Sequence, residues 1–256
     1  MGRRGILAAG ALLLLAATGC VRMEQGPPPV PWREVYREME TPPAVRAFIR
    51  RALGKAEREY GAPVFPVRQV LLRRSRKKEA FRRYPLAEDF ALTECADPRA
   101  GLFVIYLPVD PADPDFYPLL GHECAHLLDP RIFDWYMEGF ATVFSEEICA
   151  EAGRPWPAKW RRRFERRKSD PYAVSYRMMR ALRDAFPEHY RRLPRCSVPV
   201  AAGSERLRID IDGWLAGLPP ADRRRACRII GRYAKVLQHN RGPRYSFTLP
   251  AEMEEP

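Results

Sequence analysis

The sequence predicts an α+β fold rich in helix, with a small mixed sheet near the N-terminus followed by helices. Short runs of strand composition, at residues 64–72, 90–95 and 102–107, all fall early in the chain. Val45, Phe48, Ile49, Ala52, Ala56 and Tyr60 repeat at helical spacing before them. From residue 116 onward the apolar periodicity is that of helices. With 46% hydrophobic and 30% charged residues in 256, the chain suits one globular domain with a real core.

Residues 1–19 read as an export signal. Arg3 and Arg4 form a positive start, and the apolar run 6–17 is too short to span a bilayer, which needs about 20 residues. The end of the run, Ala16-Ala17-Thr18-Gly19-Cys20, resembles a bacterial lipobox. The resemblance implies that Cys20 is lipidated and becomes the mature N-terminus. Val21 in the next place resembles the outer-membrane sorting signal of enteric bacteria, which implies the outer rather than the inner membrane and a protein facing the periplasm. Residues 20–31 form a Pro-rich spacer, 32–241 the folded domain and 242–256 a flexible tail. A net charge of +12 can attract nucleic acid, anionic lipid or acidic substrates. Export argues against nucleic acid and for the lipid anchor and a basic surface as membrane contacts.

Thr41 is placed to cap the first helix and Gly61 to end it. The strand at 64–72 contains Pro66, which suits an edge. Arg73 to Arg83 is strongly basic and reads as a solvated hairpin or short helix, or as a membrane-facing patch. Gly101 falls at the turn between the next two strands. Asp110, Asp113 and Asp115 lie in a loop ahead of a helix, where acids favour its N-terminal dipole.

That helix carries Gly121-His122-Glu123-Cys124-Ala125-His126, an H-E-x-x-H run. On a helix His122 and His126 project from one face a turn apart and can bind one metal ion through ring nitrogens. Glu123 borders that face and is left to act as a general base on the attacking water. Asp129-Pro130 stops the helix, and Phe133-Asp134-Trp135 starts the next. A hairpin of the two returns Glu138, after eleven intervening residues, as a third ligand. Two imidazoles, a carboxylate and one open position make a catalytic site for a single Zn2+ per chain. Asp129, Glu146 and Glu147 could orient the histidines.

Past residue 153 the helices continue. Residues 157–168 are basic, Asp170-Pro171 starts a helix to Phe186, and Pro220 starts another to about Gln238. Five cysteines besides Cys20 leave at least one thiol without an intramolecular partner. Cys196 with Cys227 is the first choice for a bridge.

His122-Glu123-Cys124-Ala125-His126 followed by Trp135-Tyr136-Met137-Glu138-Gly139-Phe140-Ala141 resembles the gluzincin metallopeptidases, whose third zinc ligand is the Glu of an E-G-F-A-type helix. The segment Pro171-Tyr172-Ala173-Val174-Ser175-Tyr176 is similar to the Tyr-containing segment of M1-type aminopeptidases, although Val174-Ser175 replaces Lys-Gly. The spacing from His126 to Glu138 is shorter than in those aminopeptidases, and no G-x-M-E-N motif precedes the zinc helix. The resemblance implies a zincin active-site helix, a glutamate helix and a zinc-dependent peptidase acting on a peptide or protein substrate in the cell envelope. It implies an oxyanion donor, for which Tyr172 is the first choice and Tyr176 and His189 are alternatives. It also implies an edge strand before the zinc helix, making Val104 and Tyr106 substrate contacts. The competing expectation is a catalytically inactive peptidase-like binding or structural envelope lipoprotein.

Overall fold

The computed structural model describes residues 35–77, 90–154, 156–242 and 245–253. The leader, Cys20, the spacer and the second half of the basic run lie outside the described residues. The fold is α+β and helix-rich, as expected. The strands are β1 (Tyr36–Glu38), β2 (Gln69–Lys77), β3 (Leu92–Asp97), β4 (Leu102–Leu107), β5 (Ser197–Pro199) and β6 (Leu207–Ile209). The helices are α1 (Pro43–Tyr60), α2 (Phe116–His126), α3 (Trp135–Glu151), α4 (Ala158–Arg166), α5 (Pro171–Ala185), α6 (Pro187–Tyr190), α7 (Ile211–Ala216) and α8 (Pro220–His239).

The main sheet is mixed, in the order β1-β2-β4-β3. β2 runs parallel to β4, and β1 and β3 are antiparallel to their neighbours. β3 and β4 form a hairpin through Gly101, whose φ of 68° suits a residue with no Cβ. The strand expected at 64–72 is displaced towards the C-terminus. Residues 64–68 are irregular, and the strand takes in Arg73 and Arg74, because register with Leu102–Leu107 decides which residues pair. Arg73 is buried and meets Glu38 at 3.2 Å, so this part of the basic run belongs to the sheet.

Period-two alternation splits β4 between two apolar layers. Phe103, Ile105 and Leu107 join the main core with the helices, while Val104 and Tyr106 pack with Val35 and Tyr36 on the opposite face. The expected substrate role of Val104 and Tyr106 is therefore corrected. β4 is hydrogen-bonded on both sides and is not an edge, and its two alternate side chains point away from the helices. Among the described strands the outer position beside β4 belongs to β3.

α1 begins at Pro43 after Pro42, with no side-chain cap, so Thr41 does not play the expected part; Gly61 ends the helix at φ 89°. Lys55 is buried and holds α1 to α3, with its Nζ 2.7 Å from Glu59 and Glu151 and 3.3 Å from Glu147. α3 is buried on nearly every side and packs against α2 and α5. Such a helix must be apolar all round, which Phe140, Ala141, Val143, Phe144 and Ile148 provide.

Two further expectations fail. All five described cysteines are free thiols, so Cys196 and Cys227 form no bridge. Cys196 lies against the Arg192 carbonyl and Cys227 near Glu252. The end of the chain is not a loose tail as far as it is described. Ser246 N donates to Phe133 O at 3.2 Å, Trp135 N donates to Ser246 O at 3.0 Å, and Phe247 stacks on Tyr136 at 5.0 Å. Burial of Phe247 and these backbone bonds outweigh the entropy of holding the segment down.

Candidate metal centre

α2 and α3 form the expected hairpin. Asp134 caps α3, its Oδ1 accepting from Met137 N at 2.7 Å, while its Oδ2 accepts from Ile209 N of β6. This anchors the first turn of α3, which carries Glu138. Two glycines next to ligands set the helix spacing. A Cβ on Gly121 would meet Ser145 and Ile148 of α3 at 3.1–3.3 Å, and one on Gly139 would lie 2.4 Å from the Ser175 carbonyl of α5. The backbone beside Glu138 approaches its neighbour more closely than a residue with a Cβ permits, and the one beside His122 leaves only tight room for one.

The result is a cluster of His122, His126 and Glu138, with one ligand atom from each within 4.8 Å of the others. His122 Nε2 lies 3.3 Å from His126 Nε2 and 3.2 Å from Glu138 Oε2, and His126 Nε2 lies 3.7 Å from Glu138 Oε1. A tetrahedral ion with bonds of about 2.0–2.1 Å would hold its ligand atoms about 3.3–3.4 Å apart. The spacing of the two imidazole nitrogens and of the Glu138 carboxylate fits a small metal ion on that measure. The charges fit as well. Glu123 and Glu138 are 3% and 5% exposed, and two buried carboxylates in one cavity call for a cation.

Thr142, one turn after Glu138, orients His122. Its hydroxyl donates its only proton to Glu138 O at 2.8 Å, which leaves the oxygen to accept from His122 Nδ1 at 3.2 Å. The Nδ1–H tautomer is thereby selected, and the lone pair of Nε2 is aimed at the cluster. Burial opposes protonation of His122, yet the Glu138 carboxylate and the charge of Glu123 together hold its imidazole above the ordinary value. A cation, whether proton or metal, is drawn to the same Nε2.

Glu123 supplies none of the three ligand atoms but lines the same cavity of about 270 Å³. Its Oε2 lies 2.9 Å and its carbonyl oxygen 2.8 Å from Thr93 Oγ1 on β3. Thr93 had no signal in the sequence, since only the fold brings β3 over α2. Thr142 had one, because it follows Glu138 at helical i,i+4 spacing. The carboxylates named as candidates to orient the histidines are engaged elsewhere. Asp129 pairs with Arg131 at 2.9 Å, Glu146 accepts from Tyr176, and Glu147 pairs with Arg183 at 2.6 Å.

Tyr172 lines the cavity, whereas Tyr176 and His189 do not. The Tyr176 hydroxyl donates to Glu146 at 2.8 Å, and His189 Nε2 lies 2.7 Å from Trp214 O. Tyr245, from the segment expected to be loose, stands in the same wall as Tyr172. The two hydroxyls are 2.9 Å apart, and both rings pack on Trp135. Cys20 is outside the described residues, and among the described residues no helix is long and apolar enough to cross a membrane. Comparison with protein families, with curated proteins and with solved structures finds no match to this chain.

Proposed function

We propose that this chain is a gluzincin-like zinc metallopeptidase that hydrolyses peptide bonds in the bacterial cell envelope, where Cys20 anchors it to the membrane. The observation that carries the reading is the separation of roles in one cavity: three ligand atoms converge, and a fourth buried group, Glu123, is left over beside them. His122, His126 and Glu138 would hold one zinc ion, whose donor set of two imidazoles and a carboxylate is that of catalytic zinc. Bound there, zinc supplies a Lewis acid that activates water and polarises the scissile carbonyl.

The remaining steps fall to the chain. Glu123 takes a proton from the attacking water and delivers it to the leaving amine, held in its rotamer by Thr93. Tyr172 donates to the oxygen that gains charge, and Tyr245 orients its hydroxyl. An extended substrate pairs along β3, the outer strand, whose Leu92 and Thr93 line the cavity.

Glu123→Gln keeps size and hydrogen bonding but cannot take the proton. It is expected to retain zinc and fold while turnover on any cleaved peptide falls by about a hundredfold or more. Metal content and rate measured on the same preparation decide this. An undiminished rate would assign the cleavage to another site and leave this one as a binding centre.

A further inference from the structure

Among the described residues Arg163 is the one Arg or Lys side chain in the lining of the cavity. It sits on α4, where Trp160, Arg163 and Phe164 share one side at i, i+3 and i+4 spacing. That side is pinned to the rest of the fold. Trp160 Nε1 donates to Asp115 Oδ1 at 2.7 Å, Phe164 packs on Tyr176 with ring centres 5.3 Å apart, and Arg177 Nη1 donates to Phe164 O at 2.6 Å.

Arg163 is itself held through its inner nitrogen. Its Nε donates to Asp170 Oδ2 at 2.7 Å, and the other oxygen of Asp170 caps α5. The guanidinium is thus oriented by a carboxylate that is fixed in turn. Nη1 and Nη2 bond to no described residue, and the side chain is 45% exposed at the cavity rim. A guanidinium that presents two parallel donors matches a carboxylate.

The surrounding charge points the same way. A dication would balance Glu123 and Glu138, and Asp170 balances Arg163. Outside the rim, Arg161, Arg162 and Arg166 on the same helix are exposed and have no ion pair among the described residues, which gives an attractive field for anions.

We infer that Arg163 anchors a carboxylate of the substrate, so that the peptides taken by this site are acidic, or end in a free carboxylate, close to the bond that is cut. This rests on the metallopeptidase reading above. Both sources present the same group, and peptides distinguish them.

The test is equilibrium binding to the zinc-loaded full chain carrying Glu123→Gln, followed by calorimetry. The probes are acetylated alanine hexapeptide amides with Glu or Gln at each position in turn, and the same alanine peptide with a free C-terminus. Peptides with Glu at one position, or with the free C-terminus, are expected to bind about five- to tenfold more tightly than their neutral partners. Adding Arg163→Gln should bring that ratio to about one, Arg163→Lys should keep part of it, and Arg162→Gln, exposed and outside the cavity lining, should keep all of it. Equal affinities for charged and neutral peptides, no binding of either, or a preference that survives Arg163→Gln would overturn the inference. Cleavage by the unmodified chain separates the two ideas. Hydrolysis with no acidic preference removes the anchor alone, while carboxylate binding without hydrolysis removes the peptidase and keeps the anchor.

Discussion

α3 and α4 are neighbours along the chain and opposites in construction. α3 is enclosed on almost every side and delivers Glu138 and Thr142 to the metal centre. α4 buries only Phe164 and turns a basic face to solvent. The candidate metal ligand lies on the enclosed helix, and the exposed basic residues lie on the accessible one. A residue on α3 is fixed by backbone contacts on both flanks, so small changes there propagate to the ligands. A residue on α4 is fixed through one or two polar contacts, so changes there stay local.

Substitutions can break or sharpen this contrast. The largest effect is expected at the ligands: His126→Ala or His122→Ala should abolish tight metal binding, measured by elemental analysis after dialysis against a chelator. Next comes the packing that supports α3. Gly139→Ala puts a methyl into the Ser175 carbonyl and should cost about 3 kcal/mol, read as a lowered denaturation midpoint, with weaker metal binding as α3 and α5 separate. Thr142→Val keeps the shape and removes the acceptor for His122 Nδ1. A loss of about 10- to 100-fold in metal affinity is expected with little change in the apo fold, which metal titration would show. The smallest effect belongs to α4. Arg161→Gln should shift stability by less than about 0.5 kcal/mol and leave metal content unchanged. A large loss of metal in Arg161→Gln would mean that the two helices are coupled after all.

The same contrast explains what could be read from the sequence. His122, Glu123, His126 and Glu138 were legible because helical periodicity is local, and a stop at Asp129-Pro130 with a restart at Asp134 nearly determines the hairpin. α5 and α8 were legible for a related reason, since Asp170-Pro171 and Pro220 mark their starts. Strand order was not legible. Val104 and Tyr106 alternate like the residues of any half-buried strand, and only pairing on both sides of β4 makes them interior. Thr93 and Tyr245 reach the cavity through contacts between distant parts of the chain, which no local pattern records. Arg163 was visible only as one charge in a basic run, and its distinction lies in Asp170 holding it from below.

The docking of Ser246 and Phe247 beside α3 carries a consequence in time. Ser246 Oγ and its acceptor Phe133 O are 113 residues apart in a chain that is made from its N-terminus. His122, His126 and Glu138 therefore emerge long before Tyr245, and a nascent chain can carry its ligands while one wall of the cavity is missing. Completion of the cavity therefore waits for residues 245–247, and products truncated before them would be made without its full wall.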